Sequence, residues 1–190
     1  MSVDADYARV VETMRHALPA YVAYVQRDVV RGMGAVESKS RIVVRTADKK
    51  VVHGDAPGAV VIDKGVFDPA CYRPTGEATA SRNGRNVLSF ALSPTCNGED
   101  KNPFTTLYVD PVSMRPIEVT GTREHENARV SVSETFRTVR EWSVPASLKV
   151  DIEGSGFAFW LQVHALKTFS DYGFYASDPG PGVSAPAHGE

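Results

Sequence analysis

The chain has 190 residues, with 21 Lys and Arg against 23 Asp and Glu and a formal net charge of −2. That length suits one domain around one core, and the near balance of charge, with no basic stripe interleaved with aromatics, excludes a phosphate-backbone binder, so nucleic acid is not expected as a partner. No apolar run approaches the roughly 20 residues of a membrane-spanning helix, and the longest, Phe157 to Leu166, is broken by Gln162 and His164 in strand-like alternation, so no transmembrane segment is expected.

Met1 to Asp6 is polar and carries neither the basic nor the apolar segment of a secretory signal. This fits a cytoplasmic protein, a mature fragment with an added Met, or a start that lies upstream. Residues 4–18 predict one amphipathic helix, because Tyr7, Val10, Val11, Met14 and Leu18 recur at the spacing that places them on one face. Asp4 and Asp6 near its start, and Arg15 and His16 near its end, suit the helix dipole, and Pro19 stops it. A single helix with one apolar face must lie on something.

From Tyr21 the period changes to two. YVAYVQRDVVRG, VESKSRIVVRT and KVVHG predict the first strands of an antiparallel sheet, and in the second the charged Glu37, Lys39, Arg41 and Arg45 alternate with or flank Val36, Ile42, Val43 and Val44, as in a sheet with one wet face. The middle, 55–103, holds short apolar runs (AVVID, NVLSFALS) among GDAPG, FDPACYRPTGE, SRNGRN and SPTCNGEDKNP, and predicts two or more short strands joined by long loops, the place for a gate or lid. Cys71 and Cys96 flank a hairpin pattern there, and spacing alone leaves a disulfide and two half-buried thiols both open. From Phe104 to Tyr175 the strand patterns are unbroken and divided by tight turns. The tail, 177–190, rich in Pro, Gly, Ser and Ala, predicts a disordered end after a single domain at 1–176.

Chemistry is faint. Gly154-Ser155-Gly156 lies between strand patterns and reads as a hairpin turn, not a nucleophile elbow. The five histidines show no paired spacing, so neither a metal site nor a cofactor is expected; His164, inside an apolar alternation, is expected to bond a neighbouring strand. Glu118, Glu124, Glu134 and Asp151 supply carboxylates by number, and most are expected to be solvated partners of Arg and Lys.

What remains is apolar lining. Tyr21, Tyr24, Phe90, Leu107, Phe157, Phe159, Trp160 and Leu161 are spread over nearly all the strands. A helix of about 15 residues, ~22 Å long, does not cover both faces of a flat sheet of that size. A sheet curved around the helix does, and it leaves a cavity for an apolar ligand between the two unless side chains fill it.

The N-terminal helix running into ALPAYVAYVQRDV, the phrase VFDPACYRP, the hairpin LYVDPVSMRPIEVTG and the pair VSVSETFRTVREWSVPASLKVDIEG together resemble the outer-membrane lipoprotein-sorting, LolA-like superfamily. The resemblance covers about Val3 to Tyr175 and rests on strands and turns. It implies a mainly β fold, an unclosed half-barrel under a helical lid formed by Tyr7, Val10, Val11 and Met14, with an apolar cavity for acyl chains. It also implies export to the periplasm or another extracytoplasmic space, and with export a Cys71–Cys96 disulfide. The expected function is non-enzymatic binding of a lipid, a lipoprotein acyl chain or another apolar ligand. The rival is an interaction module of the cell envelope with a filled core, a protein partner and no ligand.

Overall fold

Alternation of β-branched and polar residues governs most of the chain, and among the described residues it builds one antiparallel sheet of ten strands with one α-helix laid across it. The computed structural model describes residues 2–14, 18–32, 34–47, 50–54, 67–96, 103–155 and 160–182, with the backbone alone at His125, Trp160 and Leu161. The elements are α1 (Val3–Met14), β1 (Tyr21–Arg31), β2 (Ala35–Arg45), β3 (Lys50–His53), the short 3₁₀ turn η1 (Pro69–Cys71), β4 (Tyr72–Arg82), β5 (Arg85–Pro94), β6 (Thr106–Val109), β7 (Pro116–His125), β8 (Ala128–Val139), β9 (Trp142–Ser155) and β10 (Trp160–Tyr175).

Across the sheet the order is β3-β2-β1-β10-β9-β8-β7-β6-β5-β4. Chain neighbours pair throughout except β3 and β4, which stand at opposite ends of the sheet, and β10 returns to lie beside β1. Strands β3 and β4 are left as free edges, so the sheet is an open half-barrel. One row of paired residues shows the character of the inner face: Asp28, Lys167, Leu148, Glu134, Val119, Leu107 and Phe90 follow one another from β1 to β5. Paired residues share a face, and the Phe90 end of this row meets the helix, where the Tyr7 and Phe90 rings lie edge to face at 5.6 Å. The row is polar toward β1 and apolar toward β5.

Turn chemistry fixes the hairpins. Asn83 and Gly84, with φ of 51° and 75°, make the two-residue left-handed turn between β4 and β5. Between β6 and β7, Asp110 Oδ1 accepts the backbone N–H of Val112 at 3.0 Å and of Ser113 at 2.7 Å, closing the turn with its own side chain. Gly121 is required where the chain crosses β7: a Cβ there would stand 1.9 Å from the Pro103 carbonyl oxygen.

Helix α1 packs its predicted face inward. Tyr7 and Val10 are buried, and Val3, Val11 and Met14 pack at the margin of the same core with Phe67, Phe90, Phe104, Leu107 and Val119. Leu18 lies beyond the described helix and is exposed. The middle of the chain is more regular than its composition suggests, since FDPACYRPTGE and SRNGRN hold not loops but η1, the start and end of an eleven-residue strand β4, and its turn into β5. The apolar run AVVID falls outside the described residues.

Candidate ligand site

The helix is anchored at two places. Tyr7 Oη donates to the Pro69 carbonyl at 3.0 Å, and Thr13 Oγ1 reaches the Met114 carbonyl at 3.3 Å. Turn η1 is held in turn: Asp68 caps it by accepting the Ala70 N–H at 3.0 Å, Thr95 N–H donates to the Cys71 carbonyl at 2.8 Å, and a disulfide joins Cys71 to Cys96. The predicted pairing is therefore present, and its place in the fold is to pin the segment on which the helix rests.

Between α1 on one side and η1 with the first residues of β4 on the other runs a groove of about 440 Å³. Tyr7, Ala8, Val11, Pro69, Tyr72 and Pro74 give it apolar walls, and Asp4, Glu12 and Arg73 stand among its lining. The size is that of small-molecule sites in general. Burial pushes the Tyr72 hydroxyl up to about 12 and that of Tyr7 further still, so both are neutral donors and acceptors at any physiological pH.

Beneath the helix the inner face is closed. Of the predicted cavity residues, Phe90 and Leu107 have no exposed surface, and both pack in the core that Tyr7 and Val10 complete. Tyr24 lies in a second cluster toward the Tyr21 end of β1, its ring 5.6 Å from those of Phe169 and Tyr172, and Tyr21 is half-buried opposite Arg45 and Tyr175. Phe157 and Phe159 lie outside the described residues; Trp160 and Leu161 sit in β10, their side chains outside the description. Of the predicted lid residues, Tyr7 and Val11 line the groove, Val10 is fully buried and Met14 half-buried. Pro69, Tyr72 and Pro74 are lining that sequence reasoning missed, although all three sit within the phrase VFDPACYRP that it had singled out.

One buried group on the inner face is chemically unusual. Glu134 is 1% exposed, and its Oε2 accepts the backbone N–H of Phe67 at 2.8 Å. Burial raises its carboxyl to about 8, partly offset by that hydrogen bond. Glu118, on the adjoining strand β7, takes the opposite face, because Val119 and not Glu118 pairs with Glu134. There Glu118 accepts both Arg82 Nε at 2.7 Å and Ser133 Oγ at 2.8 Å, which hold its carboxyl below the usual range despite partial burial. The two carboxylates therefore do not converge. Asp151, also on the outer face, meets His164 Nδ1 at 2.6 Å and Lys149 Nζ at 2.7 Å, so the predicted strand partner of His164 exists, on the wet side of the sheet.

No family model matches the sequence, and no curated protein resembles it at the sequence level. Solved structures do resemble it. A Vibrio parahaemolyticus domain classed with outer membrane lipoprotein-sorting proteins superposes with a TM-score of 0.51 at 12% identity, over 89% of this chain and 91% of that one. The two chains share a fold. A LolA superfamily protein from Nitrosomonas europaea is similar to a lesser degree, with a TM-score of 0.45 at 10% identity over 92% of this chain and 94% of that one.

Proposed function

We propose that this protein binds a lipid, an acyl chain of a lipoprotein or another apolar ligand, without chemistry, between the concave sheet and α1. The observation that carries the reading is the 440 Å³ groove along the flank of α1, walled by Tyr7, Val11, Pro69 and Tyr72. In this reading the groove is the entrance, and α1 is the cover. Lifting α1 extends the site over Phe90 and Leu107 toward Tyr24 and Tyr21. Removal of acyl surface from water supplies ~0.8 kcal/mol per methylene, so about ten buried methylenes reach micromolar affinity. The Cys71–Cys96 disulfide supports an oxidising, extracytoplasmic home such as the periplasm.

The test is a dye that fluoresces in apolar sites. The reading expects enhancement that a long-chain fatty acid displaces, and weaker binding by Val11→Asp, whose half-buried side chain lines the groove. A folded protein that binds neither dye nor fatty acid defeats it, and leaves the interaction module, with a protein partner on the free edge of β4, as the better account.

A further inference from the structure

At the end of the sheet where the β4–β5, β6–β7 and β8–β9 turns come together lies a cleft of about 540 Å³ that the ligand groove does not include. Four arginines line it: Arg82, Arg85, Arg115 and Arg137. Arg82 and Arg85 are direct cross-strand partners, a like-charge pairing that costs a hairpin stability. Two of the four are held in place. Arg82 donates from Nε and Nη2 to Glu118 at 2.7 and 2.9 Å and stacks over the Tyr108 ring at 5.0 Å, while the Arg137 guanidinium stands 5.3 Å over the Tyr172 ring.

Arg85 and Arg115 form no ion pair among the described residues. The lining carboxylate, Asp110, already accepts Val112 N–H, Ser113 N–H and Ser113 Oγ on its Oδ1, and Arg85 acts on it only through space. Even with Asp110 and Glu118 both counted as anions, the cleft keeps a positive excess. The rest of its wall is mixed, with Asn83, Ser113 and Thr138 beside an apolar part. Phe136 and Ile117 line it, and the Phe136 ring lies 6.3 Å from Phe67, which lies 5.2 Å from the Tyr72 ring of the ligand groove.

We infer that this cleft takes an oxyanion, a phosphate or a group of the same shape and charge, as the head group of an amphiphile whose chain runs past Phe136 into the interior. Guanidinium groups match the geometry of such oxyanions with paired hydrogen bonds, and the two unpaired arginines have that capacity free. The inference rests on the ligand reading above for its chain, and on the arginine cleft alone for its anion.

Calorimetric titration of the full chain with dodecyl phosphate, dodecyl maltoside and inorganic phosphate separates the parts. The expected result is tighter binding of dodecyl phosphate than of dodecyl maltoside, by roughly tenfold or more, as loss of charge-assisted hydrogen bonds would give, and disappearance of that gap in the double variant Arg85→Gln, Arg115→Gln. Equal binding of both amphiphiles overturns the anion site and leaves the apolar ligand reading standing. Binding of inorganic phosphate alone, lost in the double variant, keeps the anion site and removes the amphiphile. Binding of none of the three overturns both. Should the double variant fail to fold, the wild type decides, because the preference for dodecyl phosphate must shrink as salt is raised.

Discussion

Glu134 supplies a prediction whose sign and size follow from its surroundings. In the unfolded chain its carboxyl titrates near 4.5, and in the fold burial raises it to about 8. Tyr72 and Tyr172 feel its charge, and the Phe67 N–H is its hydrogen-bond donor. Because the folded value lies above the unfolded one, the native state keeps the proton over an interval in which the unfolded chain has lost it. The contribution to stability is therefore full below the unfolded value and is lost as pH rises toward the folded one. At ~1.4 kcal/mol per pH unit, the loss amounts to about 3 kcal/mol by neutral pH. Glutamine keeps an oxygen for the Phe67 N–H and has no proton to lose. Urea unfolding of wild type and Glu134→Gln at roughly pH 5, 7 and 9 is the assay, since every other titrating group cancels in the difference. The variant should gain on the wild type by about 2.5 kcal/mol between the first two conditions. Parallel profiles would refute the reasoning and place the carboxyl in contact with water.

Three further outcomes follow from the same geometry. Reduction of the Cys71–Cys96 bond, which closes a loop with a sequence separation of 25, should lower stability by about 3.5 kcal/mol in the chain-entropy model, read as a shift in urea midpoint with and without dithiothreitol. Phe90→Ala, at a site with no exposed surface against Tyr7, should cost about 3 to 5 kcal/mol by the same method, and a cost below 1 would mean that the helix does not rest there. Gly121→Ala should destabilise by more than the ~1 kcal/mol typical of a point substitution, because its Cβ meets the Pro103 backbone and not a movable side chain; a neutral thermal melt would show that the chain does not cross β7 there.

Most of the sheet was legible from period alone. VSVSETF reads as a strand by its alternation, and the observed β8 keeps that alternation up to the irregularity between Thr135 and Phe136. The same parity carried information that composition concealed: Glu134 shares its face with Val130, Val132 and Phe136, so the pattern put a carboxylate inward even though acidic residues on a sheet are usually solvated. Strand β4 was hidden for a different reason. YRPTGEATASR is an edge strand, mostly exposed, with Pro and Gly at its bulge, and its sequence has none of the apolar alternation that burial imposes. The Asn-Gly pair at its end was the usable signal. The groove and the arginine cleft were not legible at all, because each is assembled from segments that meet only when the sheet curls and its turns gather at one end.

The claim that an apolar ligand occupies this fold is tested most directly by native mass spectrometry of protein purified from cells, with organic extracts of the same sample analysed for lipids. A stoichiometric added mass, matched by one lipid class in the extract, is the predicted result; a bare mass that stays bare after incubation with membrane extract would contradict it.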